Sequence, residues 1–229
     1  MACLRPLDLP SATIDNPRMP RSYNHLAGQS VERVAALSDG IFGVAMTLLL
    51  LELHVPLRDA VADETALVHA LVAMLPQLLV YLMSFITLGI FWVGQQTQLS
   101  NLSRSDRHLT WIHLAFLFLV TLLPFSTRLL AEFITFRTAL VVYWFNILLL
   151  GSLLYACWRR ATCALLVVPE LKPDEIAAIS RRIVIAQALY ALGAVLCLIN
   201  TYVSIGFIVL VQLNYAVAPR WRTLIEKKG

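Results

Sequence analysis

The chain has 229 residues, 59% of them hydrophobic and 14% charged, with a formal net charge of +4. A soluble domain carries roughly 25% charged residues, and a core of this size cannot hide so much apolar surface, so the composition excludes an ordinary water-soluble protein. The positive charge does not point to nucleic acid either, because the basic residues sit between apolar blocks and not on an interleaved basic and aromatic face.

The first 24 residues contain four prolines and no continuous apolar run. They read as a disordered tail, 1–27, and not as a cleavable signal peptide. Six apolar segments follow, to be set against the roughly 20 residues that cross a ~30 Å hydrocarbon layer. The first lies near 34–55 and stops at Pro56. The second, near 67–94, is long and contains Pro76, which predicts a tilt or kink. The third and fourth lie near 109–130 and 138–158. The last apolar stretch is too long for one span, and Asn200-Thr201 divides it into spans near 183–199 and 202–218. Residues 28–218 thus read as one all-α domain of six transmembrane helices, without internal repeats, followed by a basic tail at 219–229.

Charge sets the orientation. Of the 18 Lys and Arg residues, all but Arg58, Arg128 and Arg137 fall on one side of a six-span arrangement, in the N-tail, the second and fourth loops and the C-tail. The positive-inside rule then places both termini in the cytoplasm of a cell that carries the protein in its plasma or inner membrane. Five spans would send the basic C-tail outside. The first outer loop is acidic, with Glu52, Asp59, Asp63 and Glu64, and Pro173-Asp174-Glu175 in the fourth loop reads as the start of a short helix leading into span five.

The first helix concentrates the chemistry. Arg33 and Asp39 lie near its inner end, where an ionisable group costs less than the roughly 2.5–3.5 kcal/mol it costs at the bilayer centre. They are six positions apart, so they need not pair within the helix, and Ser38 and Asp39 are placed to bond neighbouring helices. A plainer alternative has Arg33 snorkelling to headgroups and Ser38-Asp39 capping a helix break. Further up, Val44, Leu48 and Leu51 are spaced i, i+4, i+7 with Thr47 beside them, and Gly40 and Gly43 permit close helix approach. By spacing alone that stripe is more often a lipid or packing face than a pore, and Thr47 can bond its own backbone.

Enzyme chemistry finds little support. The five His (25, 54, 69, 108, 113) show no HExxH or paired metal spacing, and neither a Ser-His-Asp arrangement nor a phosphate-binding glycine loop occurs. Cys3, Cys157, Cys163 and Cys197 form no CxxC pair and read as small hydrophobes. No cofactor is expected. A secondary transporter or proton-coupled cation carrier is the competing class, but such proteins favour broken helices and midplane charges, and the span centres here are nearly free of charge.

The pattern Arg33-x-x-x-Leu37-Ser38-Asp39-Gly40-x-Phe42, followed by Thr47-Leu-Leu and Leu51-Glu52, resembles the first helix of the lysosomal potassium-channel family of the transmembrane protein 175 type, in its prokaryotic branch. The family signature is Arg-x-x-x-Phe-Ser-Asp. Phe91-Trp92, Asp106...Leu109-x-Trp111 and Leu123-Pro124-Phe125-x-Thr127 resemble its second- and third-helix elements, so the similarity covers roughly residues 30–130. There are departures. Leu37 replaces the signature Phe, and Gln95 and Gln96 stand where the family often has two His. Gln hydrogen-bonds but does not titrate near neutral pH, so a proton sensitivity owed to those His lacks its group here.

The resemblance implies a potassium-permeable cation channel: a homotetramer of six-helix subunits in membrane lipid, with helix one lining a central pore for monovalent cations. Carried over by position, Val44 is the inner bottleneck, slightly wider than the family's usual Ile or Leu. Leu48 and Leu51 are further constrictions, and Thr47 is the polar lining residue. Arg33, Ser38 and Asp39, with Trp92 and Gln96, form a cytoplasmic network that holds helix one. A hydrophobic ring of this kind gates by dewetting. The chain has no TVGYG-like carbonyl filter, so modest selectivity for K+ over Na+ is expected. Glu52 at the outer mouth is either an acidic ring that concentrates cations or a solvated helix end.

Overall fold

A computed structural model describes residues 30–217 with the exception of 52, 54 and 198. Glu52 and both predicted tails therefore lie outside the described residues. Among the described residues there are seven helices: α1 (Val31–Leu51), α2 (Glu64–Ala73), α3 (Leu75–Leu99), α4 (Arg107–Glu132), α5 (Arg137–Cys163), α6 (Pro173–Leu196) and α7 (Thr201–Val217), with a 3-10 turn at Arg58–Ala60. The protein is an all-α membrane protein. Five of its helices, α1 and α3 to α6, are long and apolar enough to cross a bilayer, and the apolar α7 is shorter.

Local chemistry explains where the helices begin. Asp63 accepts a hydrogen bond from the Ala66 N–H at 2.8 Å and starts α2. Asp106 does the same for α4 through the Leu109 N–H at 2.7 Å. The second apolar stretch is not one kinked helix. It is divided at Met74 into α2 and α3, with Pro76 in the first turn of α3, because proline has no N–H to continue the ladder and is tolerated where the first N–H groups have no partner anyway. Pro124, by contrast, sits inside α4 without ending it.

Helices α3 to α6 extend beyond their apolar stretches. The polar last turns of α3 carry it to Leu99, past Gln95, Gln96 and Gln98. The segment opened by Pro173 is not a separate short helix but the first turns of a continuous α6. Glu175 closes that start by accepting from the Lys172 backbone N–H at 2.9 Å. The apolar stretches recorded where lipid-like residues run, whereas the backbone ladder continues into the interface.

The helices pack as a ring in which α3, α4, α5, α6 and α7 follow one another and α7 returns to α3. Helix α1 lies outside that ring, against α3 and α4. It is fastened by Phe42, whose ring centroid lies 6.1 Å from that of Phe116 on α4, with Phe91 of α3 a further 6.2 Å from Phe116. A second, smaller apolar cluster of Leu99, Leu102, Leu109, Cys157, Ala161 and Leu166 sits at one end of the bundle.

At that end the α3–α4 and α5–α6 loops are joined. Leu102 and Val167 form an antiparallel bridge, the Ser103 N–H donates to the Leu166 carbonyl at 2.9 Å, and the Val168 N–H donates to the Asn101 carbonyl at 3.0 Å. Leu165, at φ 51°, turns the chain after α5 in the left-handed region. Arg160 closes the clamp by pairing with Asp106, donating from Nε at 3.2 Å as well as from its terminal nitrogen.

Candidate functional site: the first helix and its anchor

Helix α1 presents two different faces. Ser38, Phe42, Ala45 and Leu49 are buried at 0–2% exposure, and they recur every three to four residues, as a packed stripe should. The opposite face is open: Val44 is 58% exposed, Leu48 42% and Leu51 75%. Thr47 is exposed beside them. The four stripe residues thus stand together on the side of α1 turned away from the core of its own protomer. Gly40 and Gly43 have no atom of another element within 4 Å of where a Cβ would stand, so their small size creates room on this open side and not inside the protomer.

The Thr47 hydroxyl donates to the Val44 carbonyl at 2.8 Å. Its proton is used within the helix, and its oxygen lone pairs remain on the open face. That arrangement can offer an acceptor to a cation but no donor to an anion. Along the same face, Leu37, Gly40, Val44 and Leu48, with Thr121 of α4, line an open apolar hollow of about 360 Å³.

The N-terminal half of α1 is tied to α3 by three side-chain bonds. Trp92 Nε1 donates to Asp39 Oδ1 at 2.8 Å. Gln96 Nε2 donates to the same oxygen at 2.6 Å. Gln95 Nε2 donates to Ser38 Oγ at 2.8 Å, while the Ser38 hydroxyl donates to the Val34 carbonyl at 2.7 Å. Trp92, Gln95 and Gln96 meet Ser38 and Asp39 because i, i+3, i+4 positions share one helix face. Ser38 and Gln95 are fully buried, whereas Asp39 is exposed. Arg33 does not join them. It is exposed, and among the described residues only its backbone N–H bonds, to Ser30 Oγ at 3.2 Å. Among the described residues Asp39 is held by neutral donors alone.

Gln95 joins this contact although the sequence pattern points only to Trp92 and Gln96. The signal available was its place one turn from Trp92 on the face that already carried Gln96. A polar knot that no sequence pattern marks lies at the centre of the bundle. Tyr143 OH lies 3.2 Å from both Ser84 Oγ and Thr87 Oγ1. Thr127 Oγ1 is 2.8 Å from Ser84 Oγ, and Gln212 Nε2 donates to Thr87 Oγ1 at 2.6 Å. These residues join α3, α4, α5 and α7. All are buried, so the knot clips helices together and is not on an open path. Cys157 and Cys197 are buried and unpaired, and His113 bonds the Leu109 carbonyl through Nδ1 at 3.1 Å. Among the described residues no three His, Cys, Asp or Glu gather as metal ligands would.

Known proteins resemble this chain over most of its length. The family described as endosomal/lysosomal potassium channel TMEM175 matches residues 33–124. A potassium channel of Chamaesiphon minutus is 30% identical over 81% of this chain and 93% of its own. A potassium channel of Streptomyces collinus is 35% identical over 57% of this chain and 64% of its own. The crystal structure of a lysosomal potassium-selective channel TMEM175 homolog from Chamaesiphon minutus superimposes with a TM-score of 0.72 at 29% identity, covering 82% of this chain and 97% of that one.

Proposed function

From the premise that this chain belongs to the TMEM175 family of potassium channels, a family of channels and not of enzymes, we propose that it forms a potassium-permeable pore lined by α1 from several copies. The observation that carries the reading is the open face of α1. Val44, Leu48 and Leu51 stand exposed on a helix whose other face is sealed, and one helix cannot enclose a pore.

In a tetramer this face turns inward. Val44 forms the inner bottleneck, with Leu48 and Leu51 as further apolar rings above it. Rings of this kind exclude water when narrow, so a small rotation of α1 opens or closes the path by wetting. The Thr47 oxygens supply the polar step between rings. Without a carbonyl filter the discrimination of K+ from Na+ is modest, and Glu52 adds negative charge at the outer mouth. The apolar hollow beside Leu37 and Val44 is where a neighbouring copy packs.

The Ser38–Gln95 and Asp39–Trp92–Gln96 bonds hold the inner end of α1, so that motion is confined to the segment above. Arg33 is exposed and Asp39 has no cationic partner among the described residues of its protomer, which supports pairing of Arg33 with the neighbouring subunit. The same reading places the protein in the plasma or inner membrane with both termini in the cytoplasm. It needs no cofactor beyond the permeant K+.

The test is bi-ionic recording from purified protein in planar bilayers. Unitary currents that favour K+ over Na+ are expected. Saturable flux without unitary currents would indicate a cation carrier, and no cation flux at any potential would overturn both.

A further inference from the structure

Helix α1 is flanked by two further open stripes. On one side of it stands α3, which holds Asp39 through Trp92 and Gln96. On the other stands α4, whose Thr121 shares the apolar hollow with Leu37, Val44 and Leu48. On α3 the exposed side chains beside α1 are Leu78, Leu82, Phe85 and Trp92, with Gly89 in step between the last two. On α4 they are Trp111, Leu114, Phe118, Thr121 and Phe125. Both stripes advance alternately by three and four positions, the period of roughly 3.5 residues that keeps one seam of a helix against a partner helix. Phe85, Phe118 and Phe125 each leave more than half of their surface uncovered.

The two stripes match in depth. Thr127 Oγ1 lies 2.8 Å from Ser84 Oγ, and the Phe116 and Phe91 ring centroids lie 6.2 Å apart. These pairs run in opposite order along the chain, so α3 and α4 are antiparallel and their levels can be read off. Phe85 stands level with Phe125 to within a turn, and Gly89 and Thr121 both fall between the two levels. Gly89 has no atom of another element within 4 Å of where a Cβ would stand. A glycine inside a helix is destabilising relative to alanine, and nothing packed in its own protomer requires one here. A second helix brought against α3 does, because small residues let apolar helices approach closely.

We propose that the α3 stripe of one copy docks on the α4 stripe of the next, and that this contact, repeated around the ring, seals the wall between adjacent α1 helices. The proposal rests on the reading of α1 as the pore-lining helix. When α1 of every copy faces a common axis, its two flanks face the two neighbouring copies. Rotational symmetry then brings unlike flanks together, α3 against α4, in a heterologous contact that closes as a ring. Rotation about an axis along the membrane normal preserves depth, so Phe85 meets the partner's Phe125, aromatic against aromatic, and the partner helix comes closest at Gly89. The occupant is a second copy and not lipid, because acyl chains in this seam would open the water of the pore to hydrocarbon between one α1 and the next.

The experiment uses the full chain in phosphatidylcholine vesicles, with photoreactive benzoyl-phenylalanine in place of Phe85, of Phe118 or of Val184, an exposed residue of α6. After irradiation the Phe85 position should give a covalent dimer whose cross-linked peptide maps to α4, residues 107–132, and the Phe118 position a dimer that maps to α3, residues 75–99. The Val184 position should give lipid adducts at the mass of a single chain. Gly89→Phe, combined with the probe at Phe118, should abolish the dimer while the helical content by circular dichroism stays unchanged, because Gly89 has no neighbour in its own protomer. Lipid adducts alone at both Phe85 and Phe118 overturn the proposal. So does a dimer in which α3 is joined to α3, which marks a two-fold contact, and so does a dimer from Val184 as abundant as that from Phe85. Cross-linking does not depend on conduction. Dimers between α3 and α4 in a protein that passes no cations would support this interface and overturn the pore reading. Unitary K+ currents from a protein without such dimers would keep the pore reading and overturn the interface.

Discussion

At the scale of single residues, Thr47 and Leu48 divide the work of the proposed pore. Thr47 spends its proton on the Val44 carbonyl and keeps an acceptor in the open. Leu48 offers only hydrocarbon. Replacing Leu48 with Asn should hydrate its ring, raise unitary conductance and move the K+ to Na+ permeability ratio toward one, as measured under bi-ionic conditions. An unchanged ratio and conductance would remove Leu48 from the pore. Ser38 and Gln95 make a different prediction. Ser38→Ala strands a fully buried amide and should lower stability by about 1–3 kcal/mol in thermal unfolding. Gln95→Leu alone should cost less, and the double variant should recover much of the loss, because replacing both partners leaves nothing unsatisfied. A strictly additive double variant would show that the bond contributes nothing. Gln96 and Trp92 were legible from the family pattern. Gln95 was not, because a glutamine in an apolar helix does not reveal whether its neighbour across the interface is a hydroxyl or a lipid chain.

At the scale of elements, the joined loops at the end of the bundle fix how α3 and α4 sit against α5 and α6. The Asp106–Arg160 pair is partly exposed, 27% and 39% by side chain, so its contribution is about 1 kcal/mol or less. Burial pushes the Asp106 carboxyl up, but Arg160 and the Leu109 N–H outweigh it and hold the group below its ordinary value of 3.8. A carboxylate whose folded pKa is depressed stabilises fully above its unfolded pKa and loses that contribution as pH falls through the folded one. Asp106→Asn keeps a good helix cap and removes the charge. It should therefore melt lower than the wild type at pH 7, with the gap closing once pH drops below about 4. A gap independent of pH would mean that the cap, not the ion pair, matters. The division of the second stretch at Met74 belongs to this scale too. Pro76 announced an irregularity, but proline serves a kink and a helix start equally well, and only the surrounding packing chooses.

At the scale of the whole molecule, α1 is an outer helix of its protomer with a wide open face, while α3 to α7 close on one another. The buried stripe from Ser38 to Leu49 holds α1 to the ring, and the open stripe requires something else to cover it. The proposed tetramer would account for both. Native mass spectrometry should give four times the mass of the single chain, and Gly40→Trp, which fills the hollow beside Val44 at a site with no neighbour in its own protomer, should shift that mass downward while the secondary structure stays intact. A tetramer untouched by Gly40→Trp would place the subunit contact elsewhere.

The sequence by itself determined that this is an apolar helical membrane protein, because length and hydropathy of a segment are local quantities and satisfy the bilayer one helix at a time. It also determined the resemblance in the first helix, because that signature lies in consecutive residues. Only the tertiary structure decided which side of α1 is open, and that Gln95 reaches Ser38. It alone decided that Ser84, Thr87, Thr127, Tyr143 and Gln212 meet in one knot, and that the open stripes of α3 and α4 stand on either side of α1. Each of these depends on how far one helix is rotated against another, and apolar residues on all sides of a membrane helix leave that rotation unmarked. Ser38 and Asp39 are anchored, and the quieter stripe above them is exposed, because packing consumed one face of the helix and left the other.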